Sequence, residues 1–283
     1  DGLRRILWGL FKKVVIADTC APHVNAIFAQ PDVLGGAVLL WGAVLFAFQI
    51  YGDFSGYSDI AIGTARLFGF DLMTNFRTPY FSRSIAEFWR RWHISLSTWF
   101  RDYLYIPLGG SRGGLGVTVR NTFAIFLVSG FWHGANWTFI AWGLLHALFF
   151  LPSLVAGRNR RHLDDVAAGR WLPSAGEALQ MASTFALVTL AWVFFRAESV
   201  TAAVAYLGGI SRGGFGGAYP ALVVQGLLIL VLLAFEWPTR DQPHPLARLP
   251  WPRPARWALY ALMAQAIVMF TGSSANDFIY FQF

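Results

Sequence analysis

Two Trp-His pairs supply the side chains of this sequence that are best suited to proton transfer. Trp92-His93 lies in the stretch PYFSRSIAEFWRRWHISLSTWFRDYLYIPLGG, and Trp132-His133 lies in VRNTFAIFLVSGFWHGANW. An unperturbed imidazole titrates close to neutral pH, which makes histidine a common general base. We therefore predict that the two pairs meet inside a membrane and that His133 carries out proton chemistry there.

The segment around His133 is too long and too apolar to form one uninterrupted membrane helix. No Asp, Glu, Lys or Arg occurs among the 37 residues from Asn121 to Gly157. One helix of that length would measure about 55 Å, whereas the hydrocarbon core of a bilayer is about 30 Å thick. We predict a break between Ser129 and Asn136. An ionisable residue at such a break indicates a functional site, although a histidine bonded to a backbone carbonyl would be purely structural.

The segment around His93 predicts an amphipathic helix at the membrane interface. At 100° per residue its apolar side chains fall within one arc of about 120°. The members of this stripe are Ile85, Phe88, Trp89, Trp92, Leu96, Trp99, Phe100 and Tyr103. Ser84 is placed to cap the helix, with Glu87 as its capping-box partner. An interfacial role explains the Trp and Arg residues but not the imidazole at the edge of the stripe, so we expect His93 to line the same cavity as His133.

Several motifs, in their order along the chain, resemble the membrane-bound O-acyltransferase (MBOAT) family. They are YGDFSGYSDIAIGTARLFGF, NFRTPY, EFWRRWHISLS, WFRDYLYIPLGG and FWHGANWTFIAWG, and they are most similar to the alginate O-acetylation branch. The similarity runs from Gly2 to the closing FIYFQF and is most specific over Gln49–Gly143. It implies that His133, in its WHG context, is the catalytic residue and that His93 is the second family histidine. The family has further spans before Gly2, so we expect a C-terminal fragment of a longer protein.

The fold expected from this resemblance is an all-α polytopic integral membrane protein. It would be one transmembrane domain over residues 1–283, with broken or re-entrant helices and an amphipathic interfacial helix. Composition agrees, since 56% of the residues are hydrophobic and 13% are charged, against about 25% charged in a soluble domain. The net charge of +7 comes mostly from Arg beside apolar spans. Positive-inside topology and anionic lipid explain that pattern better than nucleic acid does.

The remaining apolar segments predict further spans and an orientation. The predicted spans are Val33–Gly52, Trp137–Val155, Glu177–Arg196, Arg212–Glu236 and Trp257–Asn276. Two basic loops, Arg158–Arg170 and Pro238–Arg256, then fall on one side, which the positive-inside rule makes cytoplasmic. The tail Asp277–Phe283 would be periplasmic.

Charged residues in the first part of the chain permit two interpretations. Gly2–Ala17 carries four cations and is expected to lie at the interface or to snorkel. Asp53 and Asp59 stand beside apolar sequence and could do acid–base work or bind a cation. We favour the simpler interpretation that they cap helix starts or pair with the Arg-rich helix. The glycines of YGDFSGYSDIAIG permit close helix packing or a re-entrant path.

Metal and disulfide chemistry is not expected. Cys20 is the single cysteine, so the chain can form neither an internal disulfide nor a thiolate metal site. His146 lies 13 residues after His133, with no HExxH pattern or cysteine cluster.

The resemblance implies an O-acyltransferase. His133 would take the proton of the attacking hydroxyl, and His93, Asn136 or Arg90 would orient it or stabilise the oxyanion. The implied donor is acetyl-CoA, as a substrate and not a bound cofactor. The implied acceptor is an exopolysaccharide such as alginate, reached through periplasmic acetyltransferase partner proteins from a bacterial inner membrane.

Two other functions stay open at this point. One is O-acyl transfer to another envelope glycan, such as cellulose, peptidoglycan or teichoic acid. The other is secondary transport, which also uses broken helices but usually in repeated halves, and no internal repeat is evident. Tyr280, in the closing FIYFQF, is either an interface anchor or, by resemblance to partner peptides of D-alanyl transfer systems, an acyl relay.

Overall fold

The computed structural model describes residues 1–214 and 221–272, which form helices joined by turns and contain no β-strand. The helices are α1 (Gly2–Leu10), α2 (Asp18–Phe28), α3 (Gly36–Leu67), α4 (Ile85–Arg91), α5 (Ile94–Phe100), α6 (Gly114–His133), α7 (Trp137–Val155), α8 (Ala175–Arg196), α9 (Val200–Ser211), α10 (Ala221–Glu236) and α11 (Arg253–Phe270). Short π-helical segments, Phe11–Ala17 and Arg101–Tyr105, join α1 to α2 and follow α5.

Four of the described helices, α3, α6, α7 and α8, are long and apolar enough to cross a membrane. The prediction of an all-α, multi-pass membrane protein is therefore confirmed. The bounds predicted for the span Trp137–Val155 are those of α7, and α8 begins two residues before the predicted Glu177. The predicted span Arg212–Glu236 includes residues 215–220, which the structure does not describe. The predicted end of the last span, Asn276, also lies outside the described residues.

The chain divides into two compact units, one formed by residues 1–74 with the residues from 208 onward, the other by residues 75–207. The single-domain interpretation of residues 1–283 stays a prediction. Both histidines of interest lie in the second unit.

In the first unit, α1 and α3 pack almost backbone to backbone because glycines face one another. A Cβ atom added to Gly9 would lie 2.6 Å from the carbonyl oxygen of Gly56, and one added to Gly56 would lie 2.8 Å from that of Gly9. Gly2 and Gly63 repeat the arrangement two turns along. Small residues permit this approach between membrane helices, so the close-packing interpretation of the glycines is correct.

The glycine-containing segment is not re-entrant. α3 continues without interruption from Gly36 to Leu67, a helix of 32 residues, about 48 Å long. The expectation that the span ends at Gly52 was wrong, because Gly52 and Gly56 keep helical geometry and fill narrow contacts with the first helices.

Three of the four cations of the first helical segment are buried in ion pairs. Arg5 Nε lies 2.7 Å from Asp59 Oδ1, and Lys12 Nζ lies 2.7 Å from Asp59 Oδ2. Lys13 Nζ lies 2.7 Å from Asp53 Oδ1. Arg5, Lys12 and Lys13 are therefore buried and do not snorkel, whereas Arg4 is part-exposed. The expected position of this segment at the interface stays a prediction. The two aspartates do pair with cations, but on α1 and the following π-helical segment and not on the Arg-rich helix.

In the second unit, α6 and α7 form a tight antiparallel pair joined by three residues. A Cβ on Gly130 would overlap the carbonyl oxygen of Phe139, and one on Gly143 would overlap that of Phe126. The two helices therefore approach closely at two places about one turn apart, near their connection. This approach fixes the last turn of α6, which ends at His133, against the first turns of α7.

The predicted amphipathic helix around His93 is not continuous. It divides into α4 and α5, because Trp92 is extended and His93 is left-handed, with φ 45° and ψ 55°. Ser84 caps α4 as predicted, since its Oγ accepts from the backbone N–H of Glu87 at 3.1 Å. The Glu87 carboxylate does not complete the capping box and instead accepts from the side chain of Arg83.

Candidate active site

His133 is the last residue of α6 and stands at the predicted break. Residues 134–136 interrupt the helix, and α7 starts at Trp137. Gly134 is required here because a Cβ would lie 2.5 Å from the ring of Phe139. The break is therefore shorter than predicted, since α6 runs unbroken through Ser129 and Gly130.

Aromatic rings surround the imidazole of His133. Its centre lies 5.2 Å from the ring of Trp142 and 5.1 Å from that of Phe195, both nearly perpendicular to it. The ring of Trp132 lies 4.9 Å away on the preceding residue. Rings from α6, α7 and α8 thus hold this imidazole in one place, which suits a group that must meet a reacting atom.

His93 occupies a conformation that costs energy. Non-glycine residues in the left-handed region are strained by about 1–3 kcal/mol, and such strain collects at functional sites. The loop before α4 supports the turn, since Ile94 donates its N–H to the carbonyl oxygen of Asn75 at 3.0 Å and Ser95 Oγ donates to Asn75 Oδ1 at 2.9 Å. The turn directs the His93 ring inward, where only 9% of the residue is exposed.

The structure brings the two Trp-His pairs together. The imidazole of His93 lies 6.3 Å from the ring of Trp132, at 73°, and the imidazole of His133 packs on the same indole. Burial lowers the pKa of His93 to about 4, so this ring is neutral at pH 7. A neutral imidazole can both donate and accept a hydrogen bond.

Asn136 and Arg90 form hydrogen bonds to backbone atoms. Asn136 is the N-cap of α7, where its Oδ1 accepts from the N–H of Thr138 at 3.1 Å, while its Nδ2 donates to the carbonyl oxygen of Glu198. Arg90 donates to backbone carbonyls at positions 159 and 162, both at 2.7 Å. The expectation that either orients His133 directly finds no support in these contacts, because their polar atoms bond to backbone.

A buried charge cluster holds the basic loop to α4, and the sequence analysis did not predict it. Glu87, 1% exposed, accepts from Arg83 Nε and Arg91 Nε, both at 3.1 Å. Arg83 also donates to the carbonyl oxygen of Asp164 at 2.7 Å, and Arg91 pairs with Asp165 at 2.9 Å. The two cations and three acids occur in the sequence within RSIAEFWRR and LDD, but nothing in either stretch indicates its partner.

The sequence analysis assigned no role in the chemistry to Trp89 or His146, which form a further contact of the site. The indole N–H of Trp89 donates to Nδ1 of His146 at 3.2 Å, which connects α4 to α7. Among the residues that the structure describes, no group of three or more His, Cys, Asp or Glu side chains could hold a metal ion. Tyr280 lies outside the described residues.

A cavity of about 260 Å³ lies between α5, α6, α7 and the loop that follows α7. Its walls are mainly apolar, and Arg101 and Arg160 contribute guanidinium groups, the former also paired with Asp102 at 2.7 Å. Ser129 lines the cavity one helical turn before His133. The cavity therefore extends from the basic loop toward the turn of α6 that carries the imidazole.

Comparison with known proteins shows the family of the chain. The family model for membrane-bound O-acyltransferases matches residues 2–194, which include His93, His133 and the helices around them. The chain belongs to the membrane-bound O-acyltransferase family. The resemblance inferred from the motifs is thus confirmed.

Bacterial members of this family resemble the chain at moderate identity. It is 38% identical over 307 residues to a probable alginate O-acetylase of Pseudomonas putida, covering 100% of this chain and 61% of that protein. It is 48% identical over 203 residues to a probable alginate O-acetylase of Pseudomonas aeruginosa, covering 72% and 37%. It is 43% identical over 202 residues to a peptidoglycan O-acetyltransferase of Helicobacter pylori, covering 71% and 37%.

The chain spans 61% to 63% of the length of the relatives that match it from end to end. We therefore treat the activity, the substrates and the partners of the whole protein as proposals.

Proposed function

We propose that the whole protein transfers an acetyl group from a cytoplasmic thioester donor across the membrane, for O-acetylation of an exopolysaccharide such as alginate. The observation that carries this proposal is the contact of His93 and His133 with one indole, that of Trp132, at a break in a membrane-spanning segment. Relatives of this chain named as alginate O-acetylases support the choice of acceptor.

His133 acts as the general base of this reaction. The acceptor hydroxyl attacks the carbonyl carbon of the thioester, and His133 takes its proton as the C–O bond forms. The tetrahedral intermediate collapses with cleavage of the C–S bond, and the proton goes to the departing thiolate. Moving one proton in this way suits an imidazole held in place by the rings packed against it.

His93 orients the reacting groups as a neutral hydrogen-bonding ring. Its strained backbone directs the imidazole toward Trp132, beside His133. From this position a neutral Nε2–H or Nδ1–H would donate to the developing oxyanion.

Acetyl-CoA is the donor that best suits the cavity next to α6. Its apolar walls fit a pantetheine arm, and guanidinium groups such as those of Arg101 and Arg160 bind phosphate. The wall at Ser129 would place the thioester within one helical turn of His133.

The cellular setting follows from the same proposal. The protein would lie in a bacterial inner membrane, with the loop Arg158–Arg170 in the cytoplasm, and periplasmic acetyltransferase partner proteins would complete the transfer to the polysaccharide. A peptidoglycan O-acetyltransferase among the similar proteins makes a second envelope glycan the alternative acceptor.

The test compares histidine variants of the full-length protein in cells that make an acetylated exopolysaccharide. We expect His133→Ala to insert normally and to lower the ester content of the polysaccharide by at least about 100-fold, as loss of a general base does. His23→Ala, in the other compact unit, is the matched control and should retain wild-type acetylation. Near wild-type acetylation by a normally inserted His133→Ala protein would exclude His133 as the base.

A further inference from the structure

His146 is a fully buried imidazole that the acyl-transfer steps do not use. Its relative exposure is 0%, and one turn of α7 separates it from Trp142, whose ring contacts His133. The rings of Phe88, Phe126 and Trp142 lie within 6.3 Å of its own. A leucine side chain could fill such a space, but it would offer no acceptor to the indole N–H of Trp89.

The hydrogen bond to Trp89 fixes the tautomer of His146. An indole N–H can only donate, so Nδ1 of His146 carries no proton and accepts from Trp89 Nε1 at 3.2 Å. The neutral ring then has its proton on Nε2. Nε2 of His146 is buried and has no hydrogen-bond partner among the described residues. An unsatisfied buried donor costs about 1–3 kcal/mol, so the imidazole is costly to keep at this position.

The bond from Trp89 to His146 joins α4, which leads into the turn at His93, to α7, which packs against the helix that carries His133. Trp89 lies on α4, one helical turn before His93, and its ring packs edge-on against Phe126 of α6 and Trp142 of α7. Trp142 in turn packs against His133. The bond from Trp89 to His146 therefore sets the position of α4 relative to the ring that supports His133.

We propose that His146 is a positioning residue for acyl transfer, which holds Trp89 through its Nδ1 and thereby fixes the His93 ring beside His133. The effect on kcat that this proposal predicts rests on the proposed acetyltransferase function. The placement of the His93 ring does not depend on that function.

Variants of the full-length protein in detergent or membrane vesicles test the kinetic consequence, with release of the free thiol from acetyl-CoA as the assay. His146→Leu removes the acceptor at similar volume, and Trp89→Phe removes the donor. Each should lower kcat about tenfold with the KM for acetyl-CoA within twofold, and the double variant should be no slower than either single one, because both remove the same bond. His146→Asn, whose Oδ1 lies at about the place of the imidazole Nδ1 and can accept from the indole, should recover most of the rate.

The matched control is Phe149→Leu on the same helix, which removes a ring packed 6.3 Å from His146 but leaves the hydrogen bond intact. It should keep wild-type kcat. Losses of kcat that multiply in the double variant, or an Asn variant as slow as the Leu variant, would overturn the positioning role.

A second measurement separates this inference from the proposed function. Carbethoxylation of His93 by diethyl pyrocarbonate, followed by mass spectrometry, reports how well the ring is held without requiring activity. His146→Leu and Trp89→Phe should each raise the modification rate of His93 several-fold, and Phe149→Leu should not. A wild-type protein that releases no thiol from acetyl-CoA would refute the proposed donor, whereas unchanged carbethoxylation in both variants would refute the positioning role.

Discussion

The hydroxyl of Ser97 donates to the carbonyl oxygen of Trp89 across 3.3 Å and so connects the two short helices on either side of His93. The bonds from Ile94 and Ser95 to Asn75 hold the same junction from the side of the preceding loop. Together these bonds keep the left-handed turn closed, so the strain at His93 is maintained by the surrounding structure.

The first prediction separates the imidazole of His93 from its backbone conformation. Asn adopts the left-handed region more readily than most residues. His93→Asn should therefore keep expression and thermal stability near wild type, while acetylation falls at least about tenfold because the ring is gone. His93→Ala should lose both stability and activity. Polysaccharide ester content and the thermal unfolding midpoint of the solubilised protein measure the two effects, and full activity of the Asn variant would show that the ring is dispensable.

The second prediction concerns pH. The folded protein holds His93 neutral with a pKa of about 4, whereas an unfolded histidine titrates near 6.5. Between these values the unfolded state binds the extra proton, so stability falls as pH decreases from about 6.5 to 4, by about 3 kcal/mol from this residue. The unfolding midpoint of wild type should drop more steeply over this interval than that of His93→Asn. Parallel curves for the two proteins would contradict the neutral assignment.

The third prediction tests the glycine contact between α1 and α3. Gly56→Ala places a methyl group against the backbone of Gly9 and should destabilise the protein by about 1–3 kcal/mol, as overpacking does. Gly116→Ala, on α6, meets no atom within 4 Å and should be neutral or slightly stabilising. Thermal unfolding of both variants gives the comparison, and equal midpoints would show that α1 and α3 can move apart without cost.

The fourth prediction concerns orientation. In a Cys20→Ala background, single cysteines placed in the loops Arg158–Arg170 and Pro238–Arg256 should resist an impermeant thiol reagent in intact cells and react after lysis, because the positive-inside rule makes both loops cytoplasmic. Labelling of either loop from outside would reverse the assigned topology.

The fifth prediction concerns Tyr280, which lies outside the described residues. Tyr280→Phe keeps the ring and removes only the oxygen. An acyl relay through the phenol would lose nearly all polysaccharide acetylation, whereas an interface anchor would tolerate the change. Wild-type ester content in this variant would eliminate the relay and leave the anchor.

Hydropathy and segment length were enough to predict α7 and the break after His133, because both follow from how much uncharged helix fits a bilayer. The meeting of the two Trp-His pairs was also predicted. The left-handed turn at His93 was not, since nothing in WRRWHISLS indicates that the backbone reverses there. Helical periodicity instead favoured a continuous helix over Ile85–Tyr103.

The roles of Arg90 and Asn136 show why other parts of the site could not be predicted. Arg90 bonds to backbone 69 and 72 positions away, and Asn136 to backbone 62 positions away. A backbone carbonyl has the same chemistry whichever residue carries it, so a sequence cannot indicate which one an arginine or an amide will reach. The sequence indicated in which part of the protein a charged or aromatic side chain lies, but not which group it contacts.

The ion pairs between the first helices and α3 also constrain how the polypeptide enters the bilayer. Each Arg or Lys near the centre of a membrane helix opposes insertion by about 2.5–3.5 kcal/mol when it has no partner. Arg5 and Lys12 pair with Asp59 on α3, which follows them by 54 and 47 residues in synthesis, whereas Lys13 pairs with the nearby Asp18 as well as with Asp53. The first helices therefore cannot settle in lipid by themselves, and their integration waits for α3 to emerge from the ribosome.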